Sequence, residues 1–252
     1  MASYDKFAQQ YSDAMSERGD FFHRTQIDPH IYKIIGNPKG KWIYDLGCGN
    51  GYMARNFAKK GAHVVASDIS KELINIAKEK SDGLDIAYSV RDGSDFRGLG
   101  TKKFDVVIMN MVINYIKDID TLVRGISRIL KPNGIVVFTT NHFLRPAYPY
   151  SEWVKGVIFG KETLFIKTTG YLKDIRVRVD SGWGKKTKLS LINRSLHAYV
   201  NTLAKYGLFV HAVYEPESKG FATQFSKALQ KSHHIPTYII IGATKIRQQR
   251  FF

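Results

Sequence analysis

Between Lys41 and Thr139 short apolar runs alternate with stretches of helical spacing, and this alternation restricts the fold more than any other feature. Lys41-Trp-Ile-Tyr-Asp45 ends in an acid and a glycine-rich turn, after which Met53, Phe57 and Ala58 recur at helical intervals until Gly61. His63-Val-Val-Ala-Ser67 reads as the next strand, and Ser70 is placed to cap a helix whose Leu73, Ile74 and Ala77 share one side. A weaker strand over 85–90 and a near-continuous apolar strand over 104–109 follow. Ile119, Leu122, Val123, Ile126, Ile129 and Leu130 then carry a helix up to Lys131-Pro-Asn-Gly134, and 135–139 reads as a fifth strand. Strands this apolar, alternating with helices, predict an α/β fold with a parallel sheet covered on both faces and joined by right-handed crossovers.

Outside this core the pattern changes. Residues 1–35 look helical, with Phe7, Tyr11 and Met15 spaced by four, and form an expected N-terminal lid. After the alternating core, 36–140, residues 141–193 mix aromatics, glycines and Lys/Arg and read as an insertion. Residues 194–245 return to order, with an amphipathic helix ending at Gly207, a strand over 208–213 and a last strand over 236–242; a frayed tail follows. A chain of 252 residues fits one domain, here 1–252. Cys48 is the sole cysteine, which excludes a disulfide framework and a cysteine-based zinc cluster and suits a reducing compartment. No secretion signal and no run of spanning length is read, so a cytoplasmic protein is expected, and no His/Asp/Glu spacing suggests a metal.

Asp45-Leu-Gly47-Cys48-Gly49-Asn50-Gly51 sits where the first strand meets its helix. Glycines there let the backbone turn sharply and bring bare N–H groups against a ligand. A dinucleotide fingerprint needs a glycine at position 52, which is Tyr52, and Asp45 would repel a pyrophosphate while suiting an ammonium group. Asp68 lies at the end of the second strand, 17 residues past Gly51, where a carboxylate accepts from both hydroxyls of a ribose. Asp92, before Gly93 and beyond the third strand, suits the exocyclic amine of adenine. All three acids fall at the carboxyl ends of strands, the edge where open α/β sheets bind ligands. Together they describe an adenosine with an amino-acid tail.

This constellation resembles the class I S-adenosylmethionine-dependent methyltransferases, over about residues 4–140. The opening Tyr4-Asp-Lys-Phe-Ala-Gln-Gln-Tyr11 and the segment from Ser195-Leu-His-Ala-Tyr199 to Glu215-Pro216 resemble the type 11, ubiquinone/menaquinone-biosynthesis-like small-molecule branch. The resemblance implies a Rossmann-like doubly wound sheet of seven strands, in the order 3-2-1-4-5-7-6 with the last strand antiparallel. It implies S-adenosyl-L-methionine as cofactor, its methionine moiety along Gly47, Gly49 and Gly51 and its amino group near Asp45. Asp68 would hold the ribose, Asp92 and Gly93 the adenine, and the Asn110 region a backbone carbonyl to the ligand; Cys48, Asn50 and Ile69 complete the expected cofactor site, with a small loop filler as the alternative for Cys48. Arg24 is a candidate for the ligand carboxylate, with a solvated helix charge as the alternative.

Methyl transfer from a sulfonium is an in-line displacement in which alignment and exclusion of water do most of the work. His142, just after the fifth strand, is placed to be a general base, and Tyr11 to cover the cofactor; a structural histidine and a core aromatic are the alternatives. Asn110-Met-Val-Ile departs from the Asn/Asp-Pro-Pro-Tyr/Phe of amino-methylating DNA and protein enzymes, which disfavours their acceptors. Residues 1–140 carry a net charge of +4 and residues 141–252 a net +12. In the insertion Arg145, Lys155, Lys161, Lys167, Lys173, Arg176, Arg178, Lys185, Lys186 and Lys188 alternate with Tyr148, Tyr150, Trp153, Tyr171 and Trp183. That mixture suits a pocket for a small, anionic acceptor. It equally suits RNA, which makes a tRNA or rRNA methyltransferase the second reading, and a non-catalytic cofactor-binding scaffold the third.

Overall fold

The N-terminal segment opens with a single turn over Ser3–Phe7, followed by helices α1 (Ala8–Met15) and α2 (Asp28–Ile35), with a wide turn over His23–Ile27 leading into α2. Phe7 and Met15 are buried, so the four-residue spacing marks a real packing face, with Tyr11 half-exposed between them. The core alternates as the sequence predicts: β1 (Trp42–Leu46), α3 (Tyr52–Lys59), β2 (His63–Asp68), α4 (Lys71–Glu79), β3 (Ile86–Val90), β4 (Phe104–Asn110), α5 (Ile119–Ile129) and β5 (Leu130–Asn141). The computed structural model describes residues 3–143, 151–180, 188–217 and 236–246.

Two helix starts show why these elements begin where they do. Ser70 precedes α4 with extended backbone, and its Oγ accepts the Leu73 N–H at 3.2 Å. Asp118 does the same for α5, accepting the Thr121 N–H at 3.0 Å. Each such cap is worth about 1 kcal/mol. At the end of α5 the fifth strand begins earlier than the sequence suggests: Leu130 already pairs with Phe104, and the ladder resumes at Ile135 opposite Val106. The Lys131-Pro-Asn-Gly turn is therefore a bulge inside β5, with Asn133 at φ +63°. Proline is tolerated in a strand where the ladder is interrupted.

The insertion is β-structure that the sequence does not announce. β6 (Ser151–Ile158) pairs with β7 (Lys161–Thr168), and β8 (Ile175–Asp180) with β9 (Lys188–Asn193), giving two antiparallel ribbons outside the main sheet. Then come α6 (Leu196–Lys205), β10 (Leu208–Tyr214) and β11 (Tyr238–Lys245). Among the described residues the main sheet runs β3-β2-β1-β4-β5-β11-β10. Counting only its own strands, that is the order 3-2-1-4-5-7-6, with β11 antiparallel to both neighbours.

The period of two along each strand divides the core between the sheet's faces. Tyr44, Phe104, Val136 and Phe138 pack with α5 and α6 through Leu122, Ile126 and Leu203. Ile43, Val106 and Val137 pack on the other side with α2 and α3 through Ile31 and Phe57. Burying one such side chain is worth roughly 1.5–3 kcal/mol. Arg194 ties the insertion to this frame: almost fully buried, it donates to the Ile116 and Lys117 carbonyls at 2.8 Å and to Asp174 at 3.2 Å. No helix among the described residues is long and apolar enough to cross a membrane.

Candidate active site

Parallel pairing aligns the carboxyl ends of β1, β2 and β4, where Leu46 lies opposite Ser67 and Asp45 opposite Ile108. From the end of β1 the glycine loop turns back through Gly47, Gly49 and Gly51, all at positive φ. The Gly47 and Cys48 N–H groups donate to the Ser67 carbonyl at 2.7 and 2.9 Å, fixing the loop to β2. These glycines also answer close approach. A β-carbon on Gly47 would lie 2.3 Å from Val112 Cγ2, and one on Gly51 2.5 Å from the Tyr88 hydroxyl. No side chain fits at either place.

Two carboxylates frame the loop. Asp45 is buried and its Oδ2 has no hydrogen-bond partner. Burial pushes its carboxyl up to about 7, with nearby Asp68 adding to the shift and the Ala54 N–H opposing it. Asp68 accepts the Gly49 N–H on Oδ2 and the Ser70 N–H on Oδ1, each at 2.9 Å, so it couples the loop to the start of α4. Burial raises its carboxyl as well, against the lowering effect of those N–H donors. A carboxylate oxygen has lone pairs for more than one donor, so a diol could share the same oxygens.

Further polar groups meet at the same edge. Tyr52, the residue that breaks the dinucleotide fingerprint, donates its hydroxyl to buried Asp28 at 3.1 Å and accepts from Asn110 Nδ2 at 3.0 Å. Asn110 Oδ1 in turn accepts from Thr139 on β5 at 2.7 Å. Burial pushes the Asp28 carboxyl up to about 7, with His23 and Tyr52 pulling it down. His23 itself holds Asp20 at 2.8 Å. In a chain of net charge +16, the glycine loop thus sits in an acidic locality made by Asp28, Asp45 and Asp68. Such a field concentrates cations and repels anionic phosphates.

The N-terminal segment closes over this edge. Asp5 accepts from the Ser70 hydroxyl at 2.6 Å, and the hydroxyls of Tyr4 and Tyr115 are 2.7 Å apart. The rings of Tyr4 and Tyr11 meet edge to face with centroids 5.7 Å apart. Burial next to Asp68 pushes the Tyr11 phenol up, so it stays protonated. Sequence reasoning singles out Tyr11 here and misses Tyr4, Asp5, Val112 and Tyr115. The quoted N-terminal segment holds the first two, but nothing local says that they reach Ser70 and Tyr115.

The remaining candidates are distributed as follows. Cys48 is buried, and burial raises its thiol well above the usual range. Asn50 is fully buried and its amide donates to Ser12 at 3.3 Å, so its side chain ties the loop to α1. Ile69 is exposed beside Asp68. Asp92 is exposed and accepts the Ser94 N–H at 2.8 Å in its own turn. A β-carbon on Gly93 would meet Ile116 Cδ1 at 2.5 Å and Leu46 Cδ2 at 3.4 Å, which sets that backbone against the end of β1. Arg24 is exposed, and its N–H donates to the Asp20 carbonyl at 3.1 Å. His142 is buried just past β5, with Nε2 2.8 Å from Glu215 Oε1 at the end of β10. In sequence, Glu215 belongs to the Glu215-Pro216 end of the type 11-like segment and carries no sign of this pairing. Among the described residues no cluster of acids, histidines and cysteine is arranged to hold a metal. Arg145, Tyr148, Tyr150, Trp183, Lys185 and Lys186 lie outside the described residues, as does the side chain of Trp153.

The geometry suits a ligand with cationic and diol groups. An unpartnered buried carboxylate at Asp45 matches an ammonium or sulfonium, the glycine loop admits close backbone approach, and Asp68 matches a ribose. S-adenosylmethionine has these groups, so the residues fit it. Comparison with known proteins agrees: the type 11 methyltransferase family, described as a methyltransferase domain, matches residues 44–138. A ubiquinone biosynthesis O-methyltransferase of Coxiella burnetii is 27% identical over 193 residues, 75% of this chain and 81% of the relative. One from Pasteurella multocida is 28% identical over 151 residues, 54% of this chain, and the match spans 62% of that relative's length, under two thirds. A solved S-adenosylmethionine-dependent methyltransferase from Mesorhizobium loti shares the fold, with TM-score 0.69, 23% identity, and coverage of 86% of this chain and 96% of that one.

Proposed function

We propose that this chain, a class I S-adenosylmethionine-dependent methyltransferase of type 11, moves the methyl group onto an oxygen of a small acceptor, with His142 as the base. The observation that carries the base assignment is the His142–Glu215 pair, 2.8 Å apart at the carboxyl edge of the sheet. The ubiquinone biosynthesis relatives are O-methyltransferases, which supports oxygen as the acceptor atom. The surplus of Lys and Arg in residues 141–193 favours an anionic acceptor. We place one methyltransferase domain over 1–252, with 1–35 as its cover and 141–193 on the acceptor side.

When bound, S-adenosylmethionine supplies an electrophilic methyl on a positive sulfur. The chain's own residues do the rest. Asp45 would meet the ammonium, Asp68 would accept from the ribose hydroxyls, and Asp92 and Gly93 would border the adenine. The Asn110 region would offer a backbone carbonyl to the ligand, and Arg24, in the turn before α2, would hold its carboxylate. Tyr4, Tyr11 and Tyr115 exclude water from above the loop, which keeps a competing nucleophile away. Glu215, 2.8 Å from His142 Nε2, orients the imidazole that takes the acceptor's hydroxyl proton. The carboxylate then stabilises the imidazolium.

The test is methyl transfer from labelled S-adenosylmethionine to a panel of small phenols and hydroxylated acids, alongside calorimetric titration of the cofactor. His142→Ala is expected to lower kcat about 100-fold or more while cofactor affinity stays within about twofold, in line with the usual contribution of a general base. Full activity in that variant would end the role of His142. Absence of cofactor binding by the unmodified chain would end the reading as a whole.

A further inference from the structure

One bulky residue at the carboxyl edge of the sheet is held in backbone that its side chain disfavours. Met111, the first residue past β4, has φ +59°. Left-handed backbone crowds the β-carbon of any residue but glycine, so it persists only where the surroundings impose it. Such strain collects at sites where the exact path of the chain matters.

What imposes it here is a chain of hydrogen bonds that crosses from β5 to α2. The Met111 N–H donates to Thr139 Oγ1 on β5 at 2.8 Å, and that hydroxyl donates to Asn110 Oδ1 at 2.7 Å. Asn110 Nδ2 donates to the Tyr52 hydroxyl at the start of α3 at 3.0 Å, and Tyr52 donates to Asp28 Oδ1 at the start of α2 at 3.1 Å. Every donor points the same way, toward the carboxylate. A threonine hydroxyl has one proton to give, so donating to Asn110 leaves its lone pairs to the Met111 N–H. Thr139, Tyr52 and Asp28 are buried, and a link lost there strands its partner away from bulk water.

The result of the turn is visible at the next residue. Val112 lies directly on the glycine loop: a β-carbon on Gly47 would be 2.3 and 2.8 Å from its two methyl groups. Met111 itself packs against the core cluster that contains Met15, Ile27 and Tyr52. Relaxation of Met111 to right-handed or extended backbone would redirect the chain and lift Val112 off Gly47.

We infer that Thr139 is a positioning residue for the cofactor: by holding Met111 left-handed it keeps Val112 against Gly47 and the glycine loop in its binding shape. Tyr52 and Asp28 serve the same end from the far side of the chain of hydrogen bonds. The inference deepens the methyl-transfer reading and rests on it.

The test is calorimetric titration of S-adenosylmethionine into the full chain and its variants, with a thermal melt of each. Thr139→Val keeps the shape of the side chain but can neither accept from Met111 nor donate to Asn110, and its affinity is expected to fall about tenfold. Thr139→Ser restores both hydrogen bonds and is expected to stay within about twofold of the unmodified chain. The decisive arm adds Met111→Gly to Thr139→Val, since glycine adopts left-handed backbone without being held. Affinity is then expected to return to within about threefold of the unmodified chain. Its Tm is expected to fall further, because the methionine packing is gone. A residue that merely supported the fold would make affinity and Tm fall together. Tyr52→Phe breaks the chain of hydrogen bonds two links away and leaves β5 intact, and is expected to weaken binding about threefold or more. With and without Met111→Gly, it decides the matter should Thr139→Val fail to fold. Undiminished affinity in Thr139→Val or Tyr52→Phe, or no recovery on adding Met111→Gly, overturns the inference. Absence of binding by the unmodified chain overturns the methyl-transfer reading with it, so the first titration tells the two failures apart.

Discussion

The Tyr11 hydroxyl lies where a β-carbon on Gly49 would have to be: the two would be 2.8 Å apart. A helix of the N-terminal segment is thus packed directly on the middle glycine of the loop, at φ +55°. Gly49→Ala is expected to weaken cofactor binding at least about tenfold, since left-handed backbone and the displaced tyrosine each cost on the order of 1 kcal/mol. Calorimetric titration checks it, and unchanged affinity would detach the loop from the cofactor.

Asp68→Asn removes more than a contact to ribose. Both its oxygens already accept backbone N–H groups, from Gly49 and Ser70. The amide nitrogen of Asn would face one of those donors, so loop and ligand are affected together. Cofactor affinity is expected to fall by about 1.5–3 kcal/mol, the range for hydrogen bonds to charged groups. Hydrogen exchange at the Gly49 amide is expected to speed up in the free variant, a readout that separates loosening of the loop from loss of a ligand contact.

The Asp45 carboxyl, raised to about 7 from 3.8, ties stability to pH. A carboxyl raised by folding favours the neutral form, so its stabilising effect is present below the unfolded pKa near 4. It is lost as pH rises toward 7. Asp45→Asn is therefore expected to stabilise the free protein at pH 8 by roughly 2–4 kcal/mol and to leave it nearly unchanged at pH 4. A cationic ligand prefers the ionised form, so cofactor affinity of the unmodified chain is expected to rise between pH 6 and 8, a slope that the variant loses. Denaturant melts and titrations at the two ends of each range decide both points.

Glu215→Gln keeps the shape of the acid at the end of β10 while removing its charge. If the pair acts as a unit, kcat is expected to drop about tenfold or more with KM for the cofactor unchanged, and the double variant with His142→Ala is expected to be no worse than His142→Ala alone. Independent, additive losses would refute a shared role.

Arg194→Ala removes a buried guanidinium that satisfies the Ile116 and Lys117 carbonyls. Asp174, its ionic partner, is half in solvent, so the loss comes mainly from the stranded carbonyls. Stability is expected to fall by about 2–4 kcal/mol, or roughly 5–15 °C in Tm. A thermal melt within 1–2 °C of the unmodified protein, about the shift of a neutral surface change, would contradict it.

The sequence reveals what repeats along the chain. The core strands and helices, the Ser70 cap and the glycine loop with Asp45 and Asp68 are legible because periodicity and local turn chemistry report burial and backbone shape directly, whereas the strand order is what the family resemblance implies. Partners distant in sequence are not legible. Asn50 looks like a loop residue for a ligand, yet Ser12 takes its amide; Asp5 carries no local sign that it reaches Ser70. Tyr52 is read only as a missing glycine, though it links Asp28 to Asn110. The ribbon of 151–168 escapes because Ser151–Ile158 and Lys161–Thr168 show no clean alternation of apolar and polar residues, whereas Ile175–Asp180 does alternate and buries Val177 but falls in a stretch read only as an insertion.

The antiparallel strand β11 lies between β5 and β10, pairing Ile135 with Thr244 on one side and Leu208 with Lys245 on the other. A nascent chain therefore makes both neighbours long before the strand that joins them, and the seam between them cannot close until Tyr238–Lys245 has left the ribosome. Folding is committed to long loop closure, with two apolar strand edges waiting unpaired until β11 is made. A stop codon before Tyr238 would remove the strand that joins β10 to the rest of the sheet, leaving a product that exposes those edges and is prone to aggregate.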